Sequence, residues 1–221
     1  MTNLFSIFDP SSSILSLSIN WLSSLLILLI LPLSFWFIPS RLSLINLTIL
    51  KLMNNEIYTL LKTKASLGLS LMFSSMFIML ALNNFMGLFP YVFTSTSHLT
   101  FNLTFSLPIW FSLMFFGWLN KTEAMFSHLI PQGTPPILMP FMVLIETISN
   151  LIRPLTLAVR LTANMIAGHL LITLLSSTGN YSILYFLIIL LEIMLLSLES
   201  AVAMIQAYVF TILSTLYTSE I

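Results

Sequence analysis

Six charged or titratable side chains fall within the apolar C-terminal part of the chain: Glu146, Arg153, Arg160, His169, Glu192 and Glu199. An arginine at membrane depth costs about 2.5–3.5 kcal/mol on an insertion scale, so it is expected to face protein or water and to act there. Histidine and glutamate take up and release protons. Arginine keeps its charge and cannot relay one. The set therefore reads as one fixed cation, Arg160, with protonatable groups before and after it. Their spacing supports this. Glu192, Glu199 and Gln206 recur every seven residues and line one helical stripe about 20 Å long. Ser200, Ala201, Ala203 and Ala207 flank that stripe and leave room for water or a neighbouring backbone. Arg160 and Asn164 stand at i and i+4 on one face. Glu146 precedes Arg160 by fourteen residues, near the same face and about 20 Å away. His169 follows by nine, about 180° round the helix.

Each residue also has a plainer reading. Arg153, next to Pro154, reads first as an ion-pair or interfacial residue. A single histidine at position 169 would more often be a hydrogen-bonded core residue. Glu192 by itself would pair with Arg153 or accept from the backbone. Together, these groups around one arginine are an expensive arrangement for a scaffold, and buried ionisable sets in bundles mark ion pathways or proton relays.

The elements that position them are helices in a membrane. Only 6% of the 221 residues are charged and 58% are hydrophobic, with a mean hydropathy of +1.04. Soluble domains carry about 25% charged residues. The fold class is therefore an all-α integral membrane protein. Net charge is zero and no basic patch interleaves with aromatics, which excludes nucleic-acid binding. The absence of cysteine excludes disulfides, thiolate chemistry and cysteine-ligated metals, and no second ligand stands near His128, so no metal is expected. No Lys or Arg precedes Arg41, so neither a secretory signal nor a mitochondrial presequence is expected. Heavy use of Leu, Ile, Phe, Met, Ser and Thr suits an organelle-encoded gene.

Along the chain, residues 14–38 predict a first span, with Trp21 and Trp36 placed for the two interfaces. Residues 41–64 hold Arg41, Lys51, Lys62 and Lys64 and an apolar stripe, which predicts an amphipathic surface helix on the positive side. Two further spans are predicted at 66–89 and 103–119. The polar connection between them makes His98 a solvated loop histidine. Asn83, Asn84 and Gly87 read as packing residues able to bond across helices. Lys121, Glu123 and His128 return the chain to the positive side, and Pro131 to Pro136 break the helix. Residues 137–176 and 182–217 predict two helices of about 60 and 50 Å. Both exceed the hydrocarbon thickness of about 30 Å, so they form a slanted hairpin unless Pro154 divides the first. The plan is one membrane domain with about five membrane helices and one surface helix.

Two stretches carry a specific resemblance. One is Ser149-Asn-Leu-Ile-Arg-Pro-Leu-Thr-Leu-Ala-Val-Arg160-Leu-Thr-Ala-Asn-Met-Ile-Ala-Gly-His169-Leu-Leu. The other is Leu191-Glu-Ile-Met with Leu198-Glu199-Ser-Ala-Val-Ala-Met-Ile-Gln206-Ala-Tyr-Val-Phe. With Asn83-Asn-Phe-Met-Gly-Leu-Phe-Pro90, the chain resembles over its whole length the a-subunit family of F-type ATP synthases, in its animal mitochondrial form.

The resemblance implies a proton-translocating stator subunit of the membrane sector, multi-pass in the mitochondrial inner membrane. It has no catalytic chemistry of its own and no cofactor. Its implied partners are a ring of small rotor c subunits, other stator subunits, lipid and protons. Arg160 would match the arginine that faces the rotor carboxylates. Glu199 and His169 would line the intermembrane-side half-channel. Glu146 and Glu192 would serve proton exit or polar support, and Asn164 and Gln206 would be polar partners of the arginine. A secondary transporter, or a proton-conducting subunit of a respiratory complex, is the alternative. The lack of internal repeats, broken-helix pairs and cofactor ligands weighs against it.

Overall fold

A computed structural model describes residues 4–12, 17–32, 38–61, 67–130, 135–177 and 185–220. Its described elements are helical throughout. A 3-10 turn at Leu4–Phe8 precedes a 3-10 run at Ile19–Leu25, which passes into α1, Leu26–Ile30. Then come α2 (Arg41–Leu61), α3 (Leu67–Gly87), a 3-10 turn at Ser95–Ser97, α4 (Leu99–Asn120), α5 (Thr122–His128), α6 (Met139–Ser177) and α7 (Tyr185–Glu220). Four helices, α3, α4, α6 and α7, are long and apolar enough to cross a membrane. Around Ile19–Ile30 the apolar helical run is shorter than the span predicted for 14–38, and Trp36 lies outside the described residues. Lys62, Lys64, Pro131 and Gly179 also lie outside them.

Helix α6 runs unbroken through Pro154 for 39 residues, about 58 Å. Proline lacks an N–H and cannot bond the carbonyl four residues back, yet Pro154 is buried and its neighbours hold the helix. Of the two possibilities left open by the sequence, a divided helix is therefore excluded. Helix α7 adds 36 residues. The short α5 was not foreseen, because seven residues with a charged start carry little periodicity.

Helix α7 packs on α3, α6 packs on α4, and α6 meets α7. Phe77, Leu80 and Ala81 of α3, Leu157 and Leu161 of α6, and Ala207 and Phe210 of α7 form the main core. Ala207 is fully buried and Ala203 nearly so. The small residues predicted to make room on α7 thus admit α3 of the same chain. Helix α2 contributes Met53 to this core and Ile57 and Leu61 to a second one with Phe73 and Ile109. These residues recur every fourth position, so one stripe of the predicted amphipathic helix lies on the bundle. The Tyr208 hydroxyl donates to the Glu56 carboxylate at 3.1 Å and ties α7 to α2 as well.

Candidate functional site: two polar regions on either side of an outward arginine

Arg160 lies near the middle of α6 and is exposed on the outer face of the bundle. Among the described residues, no hydrogen bond or ion pair involves it. Ala163 and Ala167 continue the exposed face at i+3 and i+7. Small side chains there let a second helix approach closely. Asn164 and Gln206 are both half-buried, as suits groups at the edge of that face.

Glu199 is buried on α7 at 9% exposure, pressed against Gly168 of α6. A Cβ at Gly168 would overlap the Glu199 carboxylate, so only glycine accommodates it there. The neighbouring His169 is bonded to the backbone of Gly87 on α3 and meets the Phe8 ring edge-on at 6.2 Å. A glycine contact between adjacent helices thus brings Glu199 to the turn of α6 that carries His169. Their outer atoms, His169 Nε2 and Glu199 Oε2, are buried and have no protein partner among the described residues.

Behind these residues lies a polar lane, of which the sequence points only to Asn83 and Asn84. Thr94, Ser95, Thr96, Ser97, Asn83, Asn84 and Asn102 are all buried. The Asn84 amide donates to the Ala203 carbonyl at 3.3 Å, joining α3 to α7. Ser95 Oγ donates to Asn83 Oδ1 at 3.3 Å, and Asn102 Nδ2 donates to the Thr96 carbonyl at 2.8 Å. Thr94 and Ser97 are joined through their hydroxyls at 3.0 Å. Tyr91, with φ 69°, turns the chain beyond α3, and Thr94 then returns over Gly87, where a Cβ would stand 3.1 Å from Thr94 Cγ2. Asn83 Nδ2, Asn84 Oδ1, Thr96 Oγ1, Asn102 Oδ1 and Ser106 Oγ are buried without a protein partner among the described residues. Buried polar atoms need partners, and a polar lane of this kind suits water. His98 is not the solvated loop residue predicted. It stands just before the first turn of α4 and packs against Trp21 and Phe93, with ring centroids 5.2 Å from each. The turn composition of 90–98 misled, because the loop is covered from the N-terminal side.

At the other end, Glu146 and Arg153 form an ion pair at 3.6 Å, with each side chain about one-third exposed. The guanidinium also lies 5.3 Å from the centroid of the Tyr217 ring. A cavity of about 530 Å³ opens here, lined by Glu146, Asn150 and Arg153 among Trp110, Trp118 and Tyr217. Arg153 is thus the ion-pair residue of its plainer reading, with Glu146 as partner. A Glu192–Arg153 pair is not formed. Arg153 sits beside Tyr217, twenty-five residues and about 38 Å along α7 from Glu192. Glu192 is half-buried, one stripe repeat before Glu199, and no hydrogen bond or ion pair joins it to the cluster among the described residues.

The ATP synthase A chain family matches residues 17–219. ATP synthase subunit a of Anopheles quadrimaculatus is 61% identical over 100% of this chain and 99% of its own length. The Locusta migratoria subunit is 60% identical, and that of Drosophila simulans 59%, each over 100% of this chain and 99% of the relative. An outward arginine between two polar regions, inside a full-length match of this similarity, places the chain in the ATP synthase A chain family, the proton-translocating subunits of the synthase's membrane sector.

Proposed function

We propose that Arg160 faces a carboxylate on each of a ring of small rotor subunits, and that protons reach and leave that ring through the two polar regions. The observation that carries this is Arg160 itself: a cation at mid-helix, turned outward, with no partner among the described residues of its own chain. Charge in a hydrocarbon layer needs a counter-charge. Another subunit that presents an acid to the Ala163–Ala167 face supplies it.

His169 and Glu199, with the lane behind them, form the intake side. Water along Asn83, Asn84, Thr96 and Asn102 carries protons inward, and Glu199 hands them to the ring. Glu146, in the cavity of about 530 Å³, forms the exit side. It lies about 21 Å along α6 from Arg160, whereas His169 lies about 14 Å the other way. Asn164 and Gln206 orient the guanidinium, and Glu192 is polar support along the α7 stripe.

A rotor carboxylate travelling through lipid is neutral, because a bare charge there is costly. Beside Arg160 the cation favours the ionised form, so the proton leaves toward the exit side. The arginine carries no transferable proton and interrupts any direct wire between the two regions. Protons then cross only by riding the ring. Each charge crossing 100 mV releases about 2.3 kcal/mol, and this work turns the rotor. The setting is the mitochondrial inner membrane, as the insect relatives suggest.

The test is Arg160→Ala in the whole complex, reconstituted in sealed vesicles. An exposed side chain without intramolecular contacts changes stability by only about 0.5 kcal/mol, so the complex assembles. ATP-driven acidification falls by about 100-fold or more. Substantial pumping by the assembled variant would overturn the reading.

A further inference from the structure

We propose that His98 is the outer receiving group of the intake lane, taking protons from solvent and passing them inward. The inference rests on the intake role given above to His169 and Glu199, and it adds a third protonatable residue to them. His98 ends the buried turn Ser95–Ser97. The amide of Asn102 bonds the carbonyl within this turn, Ser95 reaches Asn83, and Thr94 covers Gly87, whose backbone holds His169. Buried polar groups therefore recur from His98 through the 94–97 turn to Gly87, whose backbone holds His169, and Gly168 beside His169 meets Glu199.

The imidazole is placed for transfer. Its Nε2 is buried and has no protein partner among the described residues. Phe93 stacks on the imidazole and Trp21 packs beside both, the three ring centroids standing 5.2 to 5.7 Å apart. Ser23 Oγ donates to the Phe93 carbonyl at 2.9 Å and fixes the N-terminal run against this turn. Aromatic faces attract a cation without forming a fixed salt bridge, so an imidazolium is held and still released. One ring nitrogen takes a proton and the other gives one up, so a single proton moves inward and the ring returns to neutral in its other tautomer, which a turn of the ring or exchange with water resets before the next transfer. A purely structural ring would be served as well by phenylalanine.

The experiment uses the whole complex in sealed vesicles, with ATP synthesis driven by an imposed proton gradient. His98→Phe keeps a ring packed against Trp21 and Phe93 and removes both nitrogens. Synthesis falls by about tenfold or more, with subunit composition and ATP hydrolysis by the soluble head unchanged. His98→Ala falls similarly, and free imidazole on the intake side restores it while leaving His98→Phe unaffected. A wild-type rate for His98→Phe overturns the proposal, as does an assembled His98→Ala that imidazole does not restore. If His98→Ala does not assemble, His98→Phe decides alone. Glu199→Gln in the same assay separates the two readings. An unaffected Glu199→Gln sinks the intake assignment itself. A blocked Glu199→Gln beside a wild-type His98→Phe sinks only the role of His98.

Discussion

Gly168→Ala tests the intake geometry with one methyl group. The added Cβ would overlap the Glu199 carboxylate, which must withdraw. Ordinary van der Waals separation is about 3.5 Å, so the carboxylate moves by about 2 Å. The obstructing atoms are the far end of a flexible side chain, and the helix backbone can stay in place. Alanine gains up to about 1 kcal/mol of helix propensity over glycine. An off-rotamer Glu199 costs about 0.5–1.5 kcal/mol. The two nearly cancel, so the complex assembles. Proton transfer is far less tolerant, since a misplacement of 1 Å at a reacting group costs about 100-fold. Gradient-driven ATP synthesis in reconstituted vesicles therefore falls by about 10- to 100-fold, with the normal subunit content on a native gel. Glu199→Asp, shorter by one methylene, relieves the overlap, and the double variant recovers part of the loss. Assembled Gly168→Ala working at the wild-type rate would show that the Gly168–Glu199 contact does not set the proton path.

Two further outcomes follow from the same geometry. Asn84→Ala removes the amide that bonds the Ala203 carbonyl in a fully buried setting; the cost of about 1–3 kcal/mol is read as a lower yield of assembled complex or a lower melting temperature, and an unchanged yield and melting temperature would count against the contact. Glu192→Gln lowers proton-driven synthesis at least tenfold less than Glu199→Gln, because only Glu199 meets α6 at the buried contact; equal losses would put Glu192 in the path.

Much was legible from one dimension. The apolar runs gave the four long helices to within a few residues, because an apolar run of that length has few other stable forms in lipid. The seven-residue spacing of Glu192, Glu199 and Gln206, and the nine residues from Arg160 to His169, placed each group correctly along its own helix. The sequence marks Asn83 and Asn84 as able to bond across helices, and Asn84 does so, whereas nothing in it singles out Thr96 or Asn102, and turn composition makes His98 look solvated. Each of these three is an ordinary residue for a helix end or a turn, and its surroundings depend on Trp21 and α6, which are far away in sequence. The partner of Arg153 was not legible either: the sequence offers Glu192 of α7, and the structure gives Glu146, two turns away on the same helix.

The sequence by itself determined that this is a helical membrane protein with a non-titrating cation flanked by proton-carrying groups, because hydropathy and side-chain chemistry are properties of the residues alone. Only the tertiary structure decided which way Arg160 faces, that a glycine admits Glu199 beside His169, and that a loop of small polar residues is roofed into a lane. Those are consequences of packing between distant segments, and no local pattern carries them.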